Sequence, residues 1–407
     1  TRYWRDWSSD VCSSDLGLPT GLVYDLVRSP LAYNNGARLL ASCTFALDEI
    51  LGVTANNDSA ILRHGTSRRM IAREGDAVPA PPAPNPAATG VFGHLYNANV
   101  YLNTNHNSAF VAARRVNAAL GITSANNAGV FYHNGTTLGT VAIGSTATNI
   151  QTAPGTGGAQ YLKPAESIAF NNANRIAFLT TLQGAGVTLA NNLALYSSLN
   201  GAAPVLLART GSTQASGEGP GGIAAAATFA ALGRPHLNST TTLVFRANLT
   251  VGDGGVTVND DAGIWSNSGA GATALLLRKG DFAPDANGNA TAAVFDSFDH
   301  PVISADGRVV IGATLRVGVG GVTVNDDRAV YAQTSGGVFV LVAREGQALD
   351  IADGLGGTVN VNIRDLSYPG SGGAASNSYK AISTSGFVLV NLEFVTGETA
   401  MMLFLVP

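Results

Sequence analysis

One pattern that recurs at a nearly constant interval constrains this chain more than any other feature of its sequence. It reads Asn-x-x-Gly-x-x-Ala-Phe, or a degraded form of it, and it occurs six times. The final apolar residues of the six copies are Leu40, Phe110, Phe178, Phe245, Ile311 and Val390. Their spacing runs from 66 residues (245 to 311) to 79 residues (311 to 390). Self-similarity at a nearly fixed period indicates a repeat architecture in which each copy is one supersecondary unit.

Three further landmarks stay in step with this pattern through the first five copies. A Gly-(Val/Ile)-Thr segment leads in six residues to an Asn or Asp, from Gly52 to Asp58, Gly121 to Asn127, Gly186 to Asn192, Gly255 to Asp261 and Gly321 to Asp327. An apolar pair follows three and four residues later, and an apolar run then ends at Gly75, Gly144, Gly211, Gly280 and Gly346. Four landmarks that keep one order over five copies indicate a true internal repeat.

Each copy has the pattern of four β-strands. Short apolar or β-branched runs alternate with clusters of Gly, Asn, Asp and Pro, and no stretch shows a sustained helical period with caps. A unit of about 67 residues is too long for one coil of a leucine-rich or hexapeptide solenoid, but it suits a propeller blade with long loops. The sequence therefore predicts an all-β, six-bladed β-propeller of four-stranded antiparallel blades. Residues 17–407 form one predicted domain, with repeats at about 22–76, 90–145, 159–212, 226–281, 292–347 and 358–407.

The sixth copy is incomplete, because no fourth strand follows the strand predicted at Met401 to Leu405. In propellers a strand from one terminus commonly completes the blade at the other, and counting back from Pro19 places such a strand near residues 10–13. Residues 1–16 resemble one reading frame of a sequencing adapter. We therefore expect an adapter-derived leader that has replaced the native closing strand. The alternative is a native polar leader with two Ser-Ser-Asp turns.

Composition excludes several classes of partner. The net charge is −4, charged residues are 12% of the chain, and no Lys/Arg block occurs, so nucleic acid and anionic membrane surfaces are not expected partners. No apolar run reaches the roughly 18 residues that a membrane-spanning helix needs. Only Cys12 and Cys43 are present, which are too few for a disulfide framework or a zinc site.

The repeats resemble a known bacterial family. With Asn171-x-x-Asn174-x-x-Ala177-Phe178 and the segment Leu277 to Pro284, residues 17–407 are similar to the "choice-of-anchor" tandem-repeat proteins named for the Asn-x-x-Gly-x-x-Ala-Phe motif. The resemblance implies an exported or surface-attached bacterial protein whose repeats precede an interchangeable C-terminal anchor. No complete anchor is visible; Val406-Pro407 resembles the start of a Pro-Glu-Pro sorting tail.

The Asn/Asp pairs that follow Gly-Val-Thr are candidate calcium ligands, because Ca²⁺ takes six to eight oxygen ligands. The candidate carboxylates are Asp260, Asp261, Asp326 and Asp327. The alternative is that these residues cap their turns through hydrogen bonds from side chain to backbone. The equivalent Asn126-Asn127 and Asn191-Asn192 lack the charge of a calcium site, which favours the caps. No other cofactor is predicted.

An arginine stands two residues before the final Gly in four copies. These candidate ligand-binding residues are Arg73, Arg209, Arg278 and Arg344, and Ala142 takes the place in the remaining copy. Equivalent positions of a propeller form a ring on one face, so the guanidinium groups could bind an anionic ligand such as an acidic glycan. The alternative is that each arginine holds its own turn, through a backbone carbonyl or an ion pair with Asp76 or Asp281.

No catalytic motif is recognisable. The six histidines show no metal-ligand spacing and are interpreted as surface or turn residues, no Gly-x-Ser-x-Gly elbow occurs, and the carboxylates are unpaired in the sequence. We therefore expect a non-enzymatic, extracellular or cell-surface module that binds a glycan or another surface component, or serves a structural role. The alternative is a carbohydrate-active hydrolase or lyase, because a carboxylate pair can come from separate blades.

Overall fold

The computed structural model describes residues 23–27, 32–34, 38–64, 69–81, 89–95, 98–147, 149–268, 272–352, 357–369 and 381–407. Within these ranges the regular structure is β, apart from short 3-10 turns at Ala118–Leu120, Gln214–Ser216 and Asp253–Gly255. No helix in this part of the chain is long and apolar enough to cross a membrane. The predicted leader (residues 1–16) and closing strand (residues 10–13) lie outside the described residues, so both stay predictions.

The strands form six antiparallel sheets that follow one another along the chain. The first contains β1 (Tyr24–Val27), β2 (Ala32–Asn34), β3 (Arg38–Phe45), β4 (Ser59–His64) and β5 (Arg69–Arg73). The second contains β6 (Asn99–Leu102), β7 (Ser108–Ala113), β8 (Ala128–His133) and β9 (Leu138–Ile143). The third contains β10 (Gln160–Phe170), β11 (Arg175–Gln183), β12 (Leu193–Leu199) and β13 (Val205–Arg209).

The remaining three sheets follow the same plan, and the fourth and fifth have added short strands. The fourth contains β14 (Phe229–Leu232), β15 (His236–Leu237), β16 (Leu243–Leu249), β17 (Ala262–Asn267) and β18 (Ala274–Arg278). The fifth contains β19 (Phe282–Pro284), β20 (Ala290–Phe298), β21 (Val302–Ile303), β22 (Val309–Leu315), β23 (Arg328–Gln333) and β24 (Phe339–Arg344). The sixth contains β25 (Ala348–Ala352), β26 (Thr358–Ser367), β27 (Phe387–Phe394) and β28 (Thr399–Leu405).

Each of the first four sheets has a four-stranded antiparallel meander as its main path, for example β6-β7-β8-β9 and β14-β16-β17-β18, and the fifth has the equivalent path β20-β22-β23-β24 with β19 added at its edge. The predicted fold class, an all-β six-bladed β-propeller with four-stranded blades, is confirmed. The sixth sheet is incomplete as predicted. Its strands β26, β27 and β28 match the first three of the other copies, whereas β25 pairs with β26 in the way that β19 pairs with β20. Within the described ranges no strand pairs with the far edge of β28.

The final apolar residues of the repeated pattern occupy one structural position. In each copy this residue lies on the second strand of the four-stranded path (β3, β7, β11, β16, β22 and β27). All six have no solvent-exposed surface: Leu40, Phe110, Phe178, Phe245, Ile311 and Val390. Their cross-strand partners are large in several copies, as in the pairs Phe110 with Phe131 and Phe245 with Trp265. Aromatic cross-strand pairs stabilise a sheet and fill space between sheets. The periodicity of the sequence is therefore the periodicity of the core.

The chain forms two compact units, residues 1–188 with 196–205 and residues 189–195 with 206–407. In the first unit, side chains of the first and second sheets share one core that includes Ile61, Phe92 and Phe131. In the second unit, Ile264 of the fourth sheet packs with Phe295 of the fifth. A single four-stranded sheet cannot bury both of its apolar faces, so packing of consecutive sheets supplies the core, at about 25 cal/mol per Å² of apolar surface removed from water.

The turn at the start of the repeated pattern is capped by its leading polar residue. Asn103 Oδ1 accepts hydrogen bonds from the backbone N–H groups of residues 105 and 107, and Asn171 Oδ1 does the same for residues 173 and 175. His106 and Asn174, which replace the glycine of the pattern, have φ of 65° and 60°. Positive φ is uncommon outside glycine but is tolerated by His and Asn. The turn geometry is therefore kept at these two positions without glycine.

The second copy departs from the others by one residue. Ile143 pairs with Gly129 in the second sheet, as Arg73 pairs with Ala60 in the first. The position of the repeated arginine is thus held by Ile143, and the prediction of Ala142 is wrong. In addition, Gly75 donates its N–H to Phe92 O, whereas in the second copy the corresponding donor is Ser145, not Gly144. The apolar run of this copy continues one residue further before it turns.

Candidate functional site

The four predicted arginines each hold the loop between the second and third strands of their own copy. Their Nε–H groups donate to the backbone oxygen of the residue five positions after the Gly of Gly-(Val/Ile)-Thr. The distances are 2.9 Å from Arg73 to Asn57, 2.9 Å from Arg209 to Asn191, 2.8 Å from Arg278 to Asp260 and 2.6 Å from Arg344 to Asp326. These are the contacts of the turn-holding alternative. Binding of an anionic ligand by the four arginines stays a prediction.

Asp76 and Asp281 contact these arginines in a way that the sequence did not predict. Asp281 Oδ2 accepts a hydrogen bond from the backbone N–H of Arg278 at 2.8 Å, and Asp76 Oδ2 accepts one from Arg73 N–H at 3.1 Å. The carboxylates therefore cap the turn that ends the fourth strand. The guanidinium groups are left to hold the preceding loop.

Two of the four predicted calcium ligands cap their turns. Asp260 Oδ1 accepts hydrogen bonds from Thr257 N at 2.6 Å and Thr257 Oγ1 at 2.9 Å, and its Oδ2 lies 2.8 Å from Arg278 Nη2. Asp326 makes the same contacts with Thr323 and Arg344. Desolvation acts to raise the pKa of Asp260, but the hydrogen bonds from Thr257 and the charge of Arg278 outweigh it and lower that pKa. Both oxygens of each side chain already have donors.

The other two predicted ligands face the end of the fourth strand. Asp261 Oδ1 lies 3.1 Å from Lys279 Nζ, an ion pair within the fourth copy. Asp327 lies beside Glu345, and after desolvation the charge of Asp327 is one of the causes that raise the pKa of Glu345. Calcium binding by these aspartates stays a prediction. Their neighbours nevertheless identify the repeat position where charged side chains from two strands meet.

In the first copy this position holds a carboxylate pair joined by a histidine. Asp58, which precedes β4, corresponds to Asp261 and Asp327, and Glu74, which follows β5, corresponds to Lys279 and Glu345. His94 Nδ1 lies 3.2 Å from Glu74 Oε2 and 3.7 Å from Asp58 Oδ1. One donor atom from each of the three side chains lies within 4.8 Å of the others. We call Asp58, Glu74 and His94 the acid–histidine cluster.

Backbone pairing brings the acid–histidine cluster together inside the first unit. Glu74 N–H donates to Ser59 O at 2.8 Å, which places Glu74 beside the residue that follows Asp58. Gly75 N–H donates to Phe92 O at 3.0 Å, so the segment that carries His94 lies against the end of β5. Gly75 has φ of 85°, and a Cβ there would lie 3.1 Å from Asn56 O. A glycine is needed at this crossing, since its backbone conformation strains other residues.

The two carboxylates of the cluster have different environments. The Glu74 side chain is 6% exposed and accepts a hydrogen bond from Ser59 Oγ at 2.6 Å, and Arg115 Nη2 lies 3.4 Å from its other oxygen. The Asp58 side chain is 19% exposed, and its buried Oδ1 has no hydrogen-bond partner among the described residues. Desolvation, followed by the proximity of Glu74, raises the pKa of Asp58. Hydrogen bonds therefore fix the Glu74 carboxyl group, whereas Asp58 Oδ1 is available to a further partner.

This donor set can do two kinds of chemistry. One imidazole nitrogen and two carboxylates are ligands that Zn²⁺ and Mn²⁺ accept, whereas calcium sites use oxygen alone. For metal–ligand bonds of about 2.0–2.1 Å, the ligand atoms of a tetrahedral site are about 3.3–3.4 Å apart. The His94 distances of 3.2 and 3.7 Å lie on either side of that separation. A carboxyl group of raised pKa beside a second carboxyl group is also the arrangement of an acid–base pair.

Sequence reasoning missed this cluster for an identifiable reason. Asp58, Glu74 and His94 are separated by 16 and 20 residues, and no short motif joins them. Asp58 and Glu74 stand at matching positions of the repeat, and comparison of these positions between copies was the one sequence signal that could have found the cluster. The interpretation of the histidines as surface or turn residues is wrong for His133 and His236, which lie on β8 and β15 and are only 2% and 8% exposed.

Comparison with known proteins gives distant likeness. The chain is similar to an α-L-arabinanase from Penicillium chrysogenum complexed with arabinobiose, at 10% identity and a TM-score of 0.30 over 94% of this chain and 95% of that one. It is similar to a PL25 ulvan lyase, at 10% identity and 0.30 over 93% and 91%. It is also similar to a Trypanosoma rangeli sialidase complexed with sialic acid, at 11% identity and 0.32 over 94% and 54%. At these values the likeness supports no inference about the ligand or the reaction of this chain.

No relative is found among curated proteins. A family model described as a family of unknown function matches residues 24–402. The match covers strands of all six sheets.

Proposed function

This chain belongs to the DUF7453 family of unknown function, and we propose that it is an exported, non-enzymatic binding module that holds a divalent metal ion in the acid–histidine cluster. The observation that carries the proposal is the convergence of Asp58 Oδ1, Glu74 Oε2 and His94 Nδ1 at the junction of the first and second sheets. The low share of charged residues and the family resemblance of the repeats support export. The ligand class that we propose is a glycan or another cell-surface component.

Charge balance supports a cation at this place. The cluster holds two carboxyl groups, those of Asp58 and Glu74, whereas one arginine, Arg115, lies beside them at 3.4 Å from Glu74, so acidic groups outnumber basic ones where the cation would bind. The ion would take the place of the proton between His94 and the carboxylates, and Asp58 Oδ1 would gain the partner that it lacks. Arg115 and Ser59 would then orient Glu74 from behind, as outer hydrogen bonds do in metal sites.

Accessibility favours binding of an external group. The His94 side chain is 46% exposed, so the cluster opens to solvent on that side. Three protein ligands leave at least one coordination position on a zinc ion. A hydroxyl or carboxylate oxygen of a glycan is suited to that position, because such oxygens bind divalent cations.

The test is isothermal titration calorimetry of the whole chain with Zn²⁺ and with Mn²⁺, using Ca²⁺ for comparison. We expect one site for Zn²⁺ or Mn²⁺ per chain, and loss of about tenfold or more in affinity in Asp58→Asn and in His94→Gln. Asp261→Asn is the matched control, since it changes the equivalent aspartate of a copy that has Lys279 in place of Glu74. Its affinity should stay within about twofold of the parent protein.

Absence of a Zn²⁺ or Mn²⁺ site, or equal binding by Asp58→Asn and the parent protein, would contradict the proposal. Preferential Ca²⁺ binding that is lost in Asp261→Asn but kept in Asp58→Asn would move the site to the turns predicted from the sequence. Circular dichroism of each variant shows whether the fold is kept, so a loss of affinity can be separated from a loss of structure.

A second candidate function is a carbohydrate-active enzyme, and one observation favours it. Asp58, with its raised pKa, lies beside the carboxyl group of Glu74, which is how a general acid is paired with a second carboxylate. Release of reducing sugar from a glycan panel, unaffected by a metal chelator and abolished in Asp58→Asn, would establish the enzyme in place of the metal-dependent binding module.

A further inference from the structure

Two histidines and two arginines of the second unit converge near β15. His236 lies on β15, Arg234 two residues before it, Arg246 on β16 and His300 just before β21. Gly233 N–H donates to Arg246 O at 2.7 Å, and a Cβ at Gly233 would lie 3.5 Å from His300 Cε1. We call these four side chains the basic cluster. They come from three separate segments of the fourth and fifth copies, so no short sequence motif contains all four.

Three nitrogen atoms of the basic cluster are buried without a hydrogen-bond partner among the described residues. They are His236 Nε2, His300 Nδ1 and Arg246 Nε. The His236 residue is 8% exposed. More than nine in ten buried polar groups in native proteins are hydrogen-bonded, and an unsatisfied one destabilises the fold. Three such atoms in one cluster indicate a common partner that accepts several hydrogen bonds.

The electrostatics of the cluster indicate the sign of the charge that this partner carries. Burial, followed by the charges of His300 and Arg234, lowers the pKa of His236 to about 4. Burial, followed by the charges of Arg246 and Arg234, also lowers the pKa of His300, and Asp299 is the one nearby acid that acts to raise it. Asp299 Oδ2 in turn lies 3.6 Å from Arg328 Nη2. The field at the imidazoles is therefore positive, and it disfavours a cation.

We propose that the basic cluster binds an oxyanion, either the carboxylate of an acidic sugar or a phosphate. Arg234 is exposed and His300 half-buried, so the anion can enter from solvent, whereas His236 forms the buried end. Guanidinium groups bind planar or tetrahedral oxyanions through paired N–H donors, and neutral imidazoles donate from one ring nitrogen. This site lies in the second unit and does not depend on the metal ion proposed for the first.

Binding of an oxyanion would change the histidines in a measurable way. A nearby negative charge favours the protonated imidazole, so the pKa of His236 and that of His300 should rise when the site is filled. By the reciprocity of linked equilibria, the affinity for the anion should increase as pH falls from 7 towards 5. The charged groups that act on the two imidazoles are Arg234, Arg246 and Asp299, and Asp299 is itself paired with Arg328.

The test is NMR observation of the imidazole nitrogens in ¹⁵N-histidine-labelled whole chain. The probes are inorganic phosphate, glucuronate and, as a neutral control, glucose. We expect shifts of His236 and His300, with tighter binding of glucuronate indicating an acidic sugar and tighter binding of phosphate indicating a phosphate. Arg234→Gln should weaken binding of the preferred probe by about tenfold or more, since it removes a charge-assisted hydrogen bond.

Arg364→Gln is the matched control, because it removes one positive charge from an arginine of the same unit that is 53% exposed and paired with Glu393. Its affinity should stay within about twofold of the parent chain. The proposal is overturned if neither anion shifts the two histidines, if glucose shifts them equally, or if both arginine variants bind like the parent. His236→Gln gives a second measurement, and its thermal melt shows whether the buried substitution is tolerated.

Discussion

Arg278 contacts Asp260 at two points. Its Nε–H donates to the Asp260 backbone oxygen at 2.8 Å, and its Nη2 lies 2.8 Å from the Asp260 carboxylate. Arg344 and Asp326 repeat this arrangement at 2.6 and 2.8 Å. In the first and third copies asparagine replaces the aspartate, and the contact with the backbone oxygen is kept. The end of the fourth strand is thereby attached to the loop that precedes the third.

Removal of this attachment should destabilise the fourth copy. Arg278→Gln loses the hydrogen bond to the carbonyl and the ion pair together, so we expect a decrease of about 1–2 kcal/mol in the free energy of unfolding, measured by urea denaturation. The effect is limited because the arginine side chain is 22% exposed. Arg364→Gln should cost less than about 0.5 kcal/mol. Equal losses in the two variants would show that the loop contact contributes nothing.

The stability of the capped turns should depend on pH in one direction. Thr323 hydrogen bonds and the Arg344 charge outweigh desolvation and lower the pKa of Asp326 below its usual 3.8. Because the folded pKa is the lower one, the contribution of Asp326 is complete above about pH 4 and is lost as pH falls through the folded pKa. Asp326→Asn should therefore be less stable than the parent chain at pH 7. The difference should shrink at about pH 2.5; a constant difference would refute the assignment.

The glycine that ends the fourth strand should not tolerate a side chain. Gly75→Ala forces a non-glycine residue into φ of 85° and places its Cβ 3.1 Å from Asn56 O, so we expect a loss of about 1–2 kcal/mol or more in thermal or chemical denaturation. Gly139→Ala is the matched control. A Cβ there would meet only Tyr132 O, at 3.9 Å, and it should be neutral within about 0.5 kcal/mol. A neutral Gly75→Ala would contradict the structure of this turn.

Two substitutions of Trp265 distinguish the contribution of packing from that of hydrogen bonding in the fourth sheet. It has no exposed surface, its ring centroid lies 5.1 Å from that of Phe229, and its Nε1–H donates to Gly221 O at 3.1 Å. Trp265→Ala should cost about 3–5 kcal/mol through the cavity that it leaves. Trp265→Phe keeps most of the apolar contact and leaves Gly221 O without its donor, so we expect a smaller loss of about 1–3 kcal/mol. Similar losses in both variants would show that the indole hydrogen bond, not the ring volume, dominates.

The sequence predicted those parts of the fold whose environment is repeated. Phe110, Phe178 and Phe245 recur in the pattern because each fills the same buried place on the second strand. His106 and Asn174 could be identified as substitutes for the turn glycine, because few residues adopt positive φ. In each case one physical requirement recurs at each period, and the spacing reveals it.

What the sequence could not show arises from differences between copies. The one-residue shift that puts Ile143 in place of the repeated arginine depends on strand register, which apolar runs do not specify at their ends. The acid–histidine cluster depends on Asp58 and Glu74 meeting across β4 and β5, whose register shifts between Ile61 and Leu62. The burial of His236 depends on a short strand, β15, that no period-2 alternation indicates. These three features depend on strand register and tertiary contacts, which the sequence alone does not specify.

The residue just before the turn at the end of the fourth strand differs from copy to copy: Glu74, Thr210, Lys279 and Glu345. The apolar positions and the arginine that hold the scaffold around it stay nearly the same. The side chain at this point can therefore be exchanged without disturbing the interior, so one copy has an ion pair, another a neutral contact and another the acid–histidine cluster. A chain built in this way can diversify its surface one module at a time.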